Sequence, residues 1–324
     1  MSSSAPAVSV AIRAHRERWL GEAIDSVLDQ DFEDLELVVY DDHGGLEEIA
    51  HRRGDARVRY RRAGDDGGPA GRFAAAAALC RGRFLAMLDD DDRYAPGFLA
   101  RLVAALEDDP AAGVAFCQVS YLTPRGLRTP LDERAGGVRP EIPAEVMAFR
   151  AWIPPSTMLM RREAWESVAA LGPVPPAIAP DAWVHVRSAE LGWHHVLVDA
   201  PLAQRRWHAD QISQSGLENA RLLVGTWSEL ASGDPELERL RLAVLARKRI
   251  RLAVYLLAEG DADGAREQLA QSAGAAPGWR ALGVLVRLAA SVAALGRPVA
   301  RLAIALRGRI AGRGTPPAVI GMRR

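Results

Sequence analysis

The chain has few of the residues that build small stapled or metal-clamped folds. It carries two cysteines, Cys80 and Cys117. Two are too few for a disulfide framework or a structural zinc site, and both are expected as buried, reduced thiols. Lysine occurs once, at Lys248, so the basic side of the composition is almost wholly arginine. Net charge is absent as well: 41 basic residues balance 41 acidic ones, which removes the overall basicity expected of a nucleic-acid binder. No unbroken apolar run reaches the roughly 18 residues of a membrane-crossing helix. The nearest approach, residues 281–306, is interrupted by Arg287, Arg297 and Arg301. The opening Met1-Ser2-Ser3-Ser4-Ala5-Pro6 has neither the basic nor the apolar part of a signal peptide, so a cytoplasmic location is expected. Acidic residues are missing from 277 to 324, where nine arginines stand.

What is present is ordinary globular material: 324 residues, 49% hydrophobic and 25% charged. That length suits one catalytic-size domain with an appendage, or two domains. In the first half, short apolar runs (residues 8–12, 35–40, 58–60, 84–88 and 114–119) alternate with helical patterns. Leu20, Ile24, Val27 and Leu28 form one helical stripe, and Phe98, Leu99, Leu102, Val103 and Leu106 form another. Such alternation predicts parallel βαβ units with strands covered on both faces. Residues 121–199 are richer in Pro, Gly and Trp, with a helix expected over 181–191 and a closing strand over 195–198. Five tryptophans, Trp152, Trp165, Trp183, Trp193 and Trp207, fall between residues 150 and 210, where core packing is the expected use of most of them. Beyond about residue 216 the pattern is helical, and residues 253–270 look like a helix–turn–helix pair.

The chemistry lies in two acidic clusters. Asp41-Asp42 and Asp89-Asp90-Asp91-Asp92 each stand where a buried strand stops. In open α/β sheets ligands bind beyond the carboxyl ends of the strands, so both clusters should line one crevice. Adjacent carboxylates repel unless water or a cation screens them. Mg²⁺ or Mn²⁺ suits such a site, because a hard cation takes oxygen ligands and leaves room for substrate phosphates. Residues two apart on an extended segment point the same way, which pairs Asp89 with Asp91.

Three segments, residues 8–12 (Val-Ser-Val-Ala-Ile), 23–30 (Ala-Ile-Asp-Ser-Val-Leu-Asp-Gln) and 35–42 (Leu-Glu-Leu-Val-Val-Tyr-Asp-Asp), resemble the opening of family 2 glycosyltransferases. Residues 81–92, followed by Pro96, resemble that family's DXD segment, and the likeness extends over roughly residues 7–215. It implies a GT-A fold: an α/β, Rossmann-like, mostly parallel sheet flanked by helices, here with a C-terminal helical extension. The domains expected are 1–215, catalytic, and 216–324, helical with a basic tail. Residues 1–120 would form the nucleotide-sugar half and 121–215 the acceptor half.

By the same resemblance the enzyme is metal-dependent and inverting, and moves a hexose from a nucleotide-diphosphate sugar to an acceptor hydroxyl. Asp42, with Asp41 as neighbour, matches the base-contacting acid. Asp89 and Asp90 match positions near the ribose and donor sugar, and Asp91 the main metal ligand, with Asp89 beside it. Ala14 matches a residue that offers backbone groups to the base, and Arg72 falls near a family arginine. Pro180-Asp181-Ala182-Trp183 resembles the motif whose Asp is the general base, so Asp181 takes that role. Arg205-Arg206-Trp207-His208 resembles the closing segment, which makes His208 a candidate for the metal shell or the diphosphate. Three departures stand out. Arg13-Ala14-His15-Arg16 replaces a pattern usually read Pro-Thr-Tyr-Asn, Phe73 stands where Asn is usual, and Pro180 replaces the first acid of the base motif.

The acceptor classes open to such an enzyme are a saccharide, a lipid-linked saccharide or a small-molecule glycoside. The acid-free stretch 279–309 has the pattern of a basic amphipathic helix, suited to an anionic membrane surface at the inner face. Its other use is to pack on a domain. Two rival functions are a catalytically degenerate scaffold and a nucleotidyltransferase. The latter normally wants a basic Gly-rich loop, whereas Asp65-Asp66-Gly67-Gly68 is acidic.

Overall fold

The structure is a computed structural model that describes residues 5–64, 68–123, 126–128, 138–139, 153–175, 178–208 and 216–272, with Val284, Pro298, Ala300, Arg301 and Ile304. The chain divides into two units, with the main break between Trp207 and His208. Residues 279–309 lie outside the described residues except for the five isolated positions just named.

The first unit is built on β1 (Val8–Ala14), β2 (Leu35–Asp41), β3 (Val58–Arg62) and β4 (Phe84–Asp89). These pair in parallel in the order β3-β2-β1-β4. Helices α1 (Leu20–Leu28), α2 (Glu47–Ala50) and α3 (Gly68–Leu79) make the crossovers. Val10, Ile12, Leu37, Val39, Phe84 and Leu88 are buried in one continuous core with Ile24 and Val27 of α1. Parallel strands covered on both faces need such near-continuous apolar runs.

A short β5 (Arg93–Tyr94), α4 (Phe98–Asp108), β6 (Ala112–Thr123), β7 (Gly126–Arg128) and β8 (Val138–Arg139) follow. Then come β9 (Met158–Arg161), α5 (Arg162–Ala169), α6 (Pro180–Glu190) and β10 (His194–Arg206). The sheet continues β4-β9-β6-β10-β5. Here β9 runs antiparallel to both β4 and β6, while β10 is parallel to β6. The sheet is thus parallel on its first side and mixed on the second. His195 near the start of β10 is buried and lies beside Val114 of β6. Its ring lies 5.5 Å from that of His185, and burial pushes the two down to about 3 and about 4, so both are neutral at physiological pH.

The register sets the site. Along β1 and β2, Val8 lies beside Leu35 and Ala14 beside Asp41; along β1 and β4, Val8 lies beside Phe84 and Arg13 beside Asp89. The strands therefore end level, with Ala14, Asp41 and Asp89 at one edge. At the other end the Gly82 N–H donates to Ser9 Oγ at 2.7 Å. A Cβ on Gly82 would fall 2.5 Å from the Ser9 nitrogen, so only glycine allows this approach.

Beside that contact Glu36 is buried, its carboxylate accepting from Ser9 Oγ (2.6 Å), the Arg81 N–H (2.7 Å) and the guanidinia of Arg81 and Arg59. Burial alone would raise its pKa, but the hydrogen bonds from Ser9, Arg81 and Arg59 outweigh it and hold it at about 2. A depressed acid contributes stability above its unfolded value, and that contribution fades as pH falls toward 2. Glu36→Gln is therefore expected to lose about 2 kcal/mol of unfolding free energy at pH 7. The deficit should narrow below about pH 4, as urea unfolding at several pH values would show.

The second unit is helical: α7 (Gly216–Glu229), α8 (Pro235–Glu259) and α9 (Ala262–Ala270). Ala246, Ile250, Ala253 and Leu257 of α8 pack with Ala265 and Leu269 of α9. The turn expected between them is made by Gly260 at φ 95°. Asp261 caps α9 by accepting from the Gly264 N–H at 2.8 Å. Among the described residues no helix is long and apolar enough to cross a membrane.

Candidate active site

The two acidic clusters lie on neighbouring strand ends, and hydrogen bonding divides their members. Asp41 is fully buried and turned into the loop that follows β2. It accepts from the backbone N–H groups of His43 (3.0 Å), Gly44 (2.8 Å) and Leu46 (3.0 Å) and from Tyr60 Oη (2.8 Å). Gly44, at φ 81°, lets the backbone wrap the carboxylate in this way. Burial opposes the charge on Asp41, yet these four donors hold its pKa below the usual range. Asp41 thus shapes the loop that presents Asp42.

Asp42 faces the crevice side of that loop. Its N–H donates to the Ala14 carbonyl at 2.8 Å, which fastens β1 to β2 and occupies that oxygen of Ala14. Its Oδ2 lies 3.2 Å from Arg72 Nη1 and 3.7 Å from His15 Nδ1. Asp42 Oδ1 and Arg72 Nε are both buried without a hydrogen-bond partner. Buried polar atoms are nearly always paired, so an orphaned acceptor beside an orphaned donor marks a place made for a ligand. His15 is also bonded to His43, Nδ1 to Nε2 at 2.9 Å.

The four-aspartate run splits in the same manner. Asp90 is buried, its Oδ2 accepting from the N–H groups of His15 (2.7 Å) and Arg16 (2.6 Å). Burial raises it to about 6 against those two bonds. Asp92 is buried still deeper, accepting from the Arg206 N–H at 2.9 Å with Arg205 at 3.6 Å. Burial pushes its pKa upward while Arg205 pulls it back. These two acids anchor the first loop and β10 to the strand end. Asp89 and Asp91 point elsewhere: Asp89 Oδ1 is 2.6 Å from Arg13 Nη2, and Asp91 Oδ2 is 3.4 Å from Arg16 Nη1. β4 ends at Asp89, and a turn closed by the Asp92 N–H donating to the Asp89 carbonyl at 3.1 Å carries Asp90 and Asp91, so the extended alternation expected from sequence stops at Asp89.

Asp181 sits in the first turn of α6 with 6% of its surface exposed. Burial raises it to about 6; the Ala182 N–H and Arg13 favour the charged form, and Asp89 opposes it. Arg13 is the common element. It contacts Asp89, and the charges of Asp89, Asp181 and Asp42 favour its own, against the cost of burial. His208 opens the second unit, and its role rests on the sequence resemblance alone. Trp152 lies outside the described residues.

Arg13 and Arg16, part of the departure from the family pattern in the first loop, are ion-pair partners of the aspartate run. Ser156 was not anticipated; its Oγ lies 3.2 Å from the Asp89 nitrogen. The signal for it was the strand-like stretch after Pro155, which β9 places beside β4.

Asp41 and Asp89 thus stand at level strand ends of a Rossmann-like sheet, and Asp181 is buried in the first turn of α6. The family model described as Glycosyl transferase family 2 matches residues 9–169. Through that segment the chain belongs to glycosyltransferase family 2, and it is a glycosyltransferase. No curated protein matches it in a sequence search. Among solved structures it resembles S. aureus TarS 1-349 in complex with UDP-GlcNAc, with 14% identity, TM-score 0.60, and coverage of 94% of this chain and 92% of that one. It also resembles the mannosyltransferase PcManGT from Pyrobaculum calidifontis in complex with GDP-Man and Mn²⁺. There the identity is 18% and the TM-score 0.56, over 97% of this chain and 89% of that one. At these identities the likeness establishes the GT-A fold.

Proposed function

We propose that the protein is a metal-dependent, inverting hexosyltransferase that takes its sugar from a nucleotide-diphosphate donor. The observation that carries this reading is that Asp41-Asp42 and Asp89 stand at the level ends of neighbouring parallel strands, in a chain that the family 2 model matches over residues 9–169. Support for the donor comes from the orphaned Asp42 Oδ1 and Arg72 Nε. It comes also from the UDP-GlcNAc and GDP-Man bound by two structures of the same fold. Asp42 and Arg72 hold the nucleotide, with Asp41 and Ala14 fixing the loop edges around it. Asp89 meets the ribose and donor sugar, and Asp90 acts through the first loop it anchors.

Among the described residues no three His, Cys, Asp or Glu side chains converge as a metal shell. Mg²⁺ and Mn²⁺ use one or two carboxylates and take the rest of their ligands from substrate phosphates and water. Asp91 and Asp89 are those carboxylates, and His208 is the further candidate. When bound, such an ion offsets the charge developing on the departing diphosphate. Asp181 accepts the proton of the acceptor hydroxyl as its oxygen attacks the anomeric carbon. Buried and in the first turn of α6, that carboxylate is positioned as a base whose ionisation falls near neutrality.

We assign residues 1–215 to catalysis and 216–324 to the helical extension. The acid-free stretch 279–309 would hold the enzyme at an anionic membrane surface, on the cytoplasmic face, near a saccharide, lipid-linked or small-molecule acceptor.

The reading is tested by incubating the full chain with a panel of UDP- and GDP-sugars and Mn²⁺ or Mg²⁺. One donor is expected to be hydrolysed slowly, and EDTA should stop the reaction. If no donor binds, the chain is a scaffold and this assignment fails. Within the same assay Asp42→Asn removes a charge-assisted contact, and the donor KM is expected to rise at least about 10-fold with little change in kcat.

A further inference from the structure

The buried side of α6 carries polar residues where packing alone would call for apolar ones. Asp181, His185 and Ser188 are spaced four and three apart, which puts them on one side of the helix, and all three are buried. Buried polar groups are normally bonded to something specific, and the bonds here form a directed chain. Ser188 Oγ lies 3.2 Å from the His185 carbonyl and 3.4 Å from His195 Nε2 of β10. A carbonyl can only accept, so Ser188 commits its hydrogen there and His195 donates from Nε2. His185 Nε2 lies 3.2 Å from the Ile153 carbonyl, which again can only accept. Both rings thus carry their proton on Nε2, and both Nδ1 atoms are buried without a partner.

Ile153 opens a segment that reaches the other acid of the site. Pro154 follows at φ −62°, and its carbonyl accepts from the Thr157 N–H (2.9 Å) and from Thr157 Oγ1 (2.7 Å), which closes a tight turn. Ser156 and Thr157 are buried within it. Ser156 Oγ accepts from the Asp89 N–H at 3.2 Å, and β9, which begins at Met158, pairs with β4. Two adjacent prolines stiffen the start of the turn. Residues 153–157 therefore form a strap between the end of β4 and α6. Asp89 is bonded at one end of it, and Asp181 stands one helical turn from the other.

We propose that His185 is a positioning residue for the base: its bond to the Ile153 carbonyl seats α6 on the strap and so sets where Asp181 stands relative to Asp89. The inference rests on the assignment of Asp181 as base. Asp181 lies in the first turn of its helix, which no earlier turn holds in place. Among the described residues, the nearest side-chain bond from that side of α6 to another element is the one made by His185. A base displaced by about 1 Å costs about 100-fold in rate, so small shifts of this helix matter. Phenylalanine fills the space of His185 without the bond, whereas glutamine keeps an N–H donor at comparable reach.

The test uses the full chain in the donor-hydrolysis assay, where water stands in for the acceptor hydroxyl, with equilibrium binding of UDP and GDP as a second readout. In His185→Phe kcat is expected to fall about 10-fold, while donor KM and nucleotide affinity stay within about twofold of wild type. His185→Gln should recover most of that loss. Placed on top of Asp181→Asn, His185→Phe should cost nothing further, because a residue that acts through the base then has nothing to position. A folded His185→Phe with wild-type kcat overturns the proposal, and so does a further 10-fold loss in the double variant. Equal losses of kcat and nucleotide affinity would show a merely structural role and overturn it too. Should His185→Phe not fold, His185→Asn, whose amide stops short of Ile153, takes its place with the same expectations. Full turnover in Asp181→Asn is the separate result that rejects the base assignment, and it removes the role proposed for His185 with it.

Discussion

Asp181→Asn is expected to lower the transfer rate by about 10²–10⁴-fold while leaving donor affinity nearly unchanged. The amide keeps the size of the carboxylate and loses only its capacity to take a proton. Because burial raises Asp181 to about 6, against the pull of the Ala182 N–H and Arg13, wild-type kcat should climb as pH rises through about 6 and level off above it. In Asp181→Asn that limb should vanish from whatever activity remains. The linkage to stability runs the other way. A carboxyl whose folded pKa lies above its unfolded one favours the fold at low pH, and that advantage is lost as pH rises through 6. At pH 7.5 the enzyme carries a buried charge that the fold resists, so Asp181→Asn should melt no lower than wild type. Unaltered turnover in this variant would reject the base assignment.

Asp91→Ala is expected to abolish activation by Mn²⁺ or Mg²⁺ and to reduce donor turnover at least about 100-fold, since several kcal/mol of leaving-group stabilisation depend on the ion. The four aspartates are not interchangeable in this respect. Asp90 is held by two backbone N–H groups and Asp92 by the start of the Arg206 peptide, both buried. Asp89 is engaged at 2.6 Å by Arg13, and Asp91 lies 3.4 Å from Arg16. A metal titration of donor hydrolysis checks this directly; an Asp91→Ala enzyme that still responds to Mn²⁺ would move the ligand role to a neighbour.

The parts of the fold visible in the sequence are those with local signals. The apolar runs of β1, β2 and β4 and the stripe of α1 are unambiguous, and the acids that stop β2 and β4 mark the strand ends where ligands gather. The direction of β9 had no such signal, since four residues flanked by helices have no preferred neighbour. β10 runs to Arg206, well beyond the apolar stretch at its start, because register shifts on both sides of Pro201 let the ladder with β6 continue past a residue lacking an N–H. The sorting of the aspartates was equally hidden. Alternation paired Asp89 with Asp91, but the partners that neutralise them, Arg13 and Arg16, lie about 75 residues away in sequence. Glu36, a single acid in an apolar strand, gave no hint that three neighbours hold its charge.

Gly82 gives this site a control point at its far end. β4 is six residues long, about 20 Å of extended chain, and its start is gauged by the hydrogen still permitted at residue 82 where any larger substituent would strike Ser9. A methyl group there would press on the Ser9 backbone, and a one-residue slip of β4 along β1 would turn Asp89, its last residue, to the other face of the sheet. The direction in which Asp89 leaves the sheet is therefore set by a contact at the opposite rim, six residues of strand away.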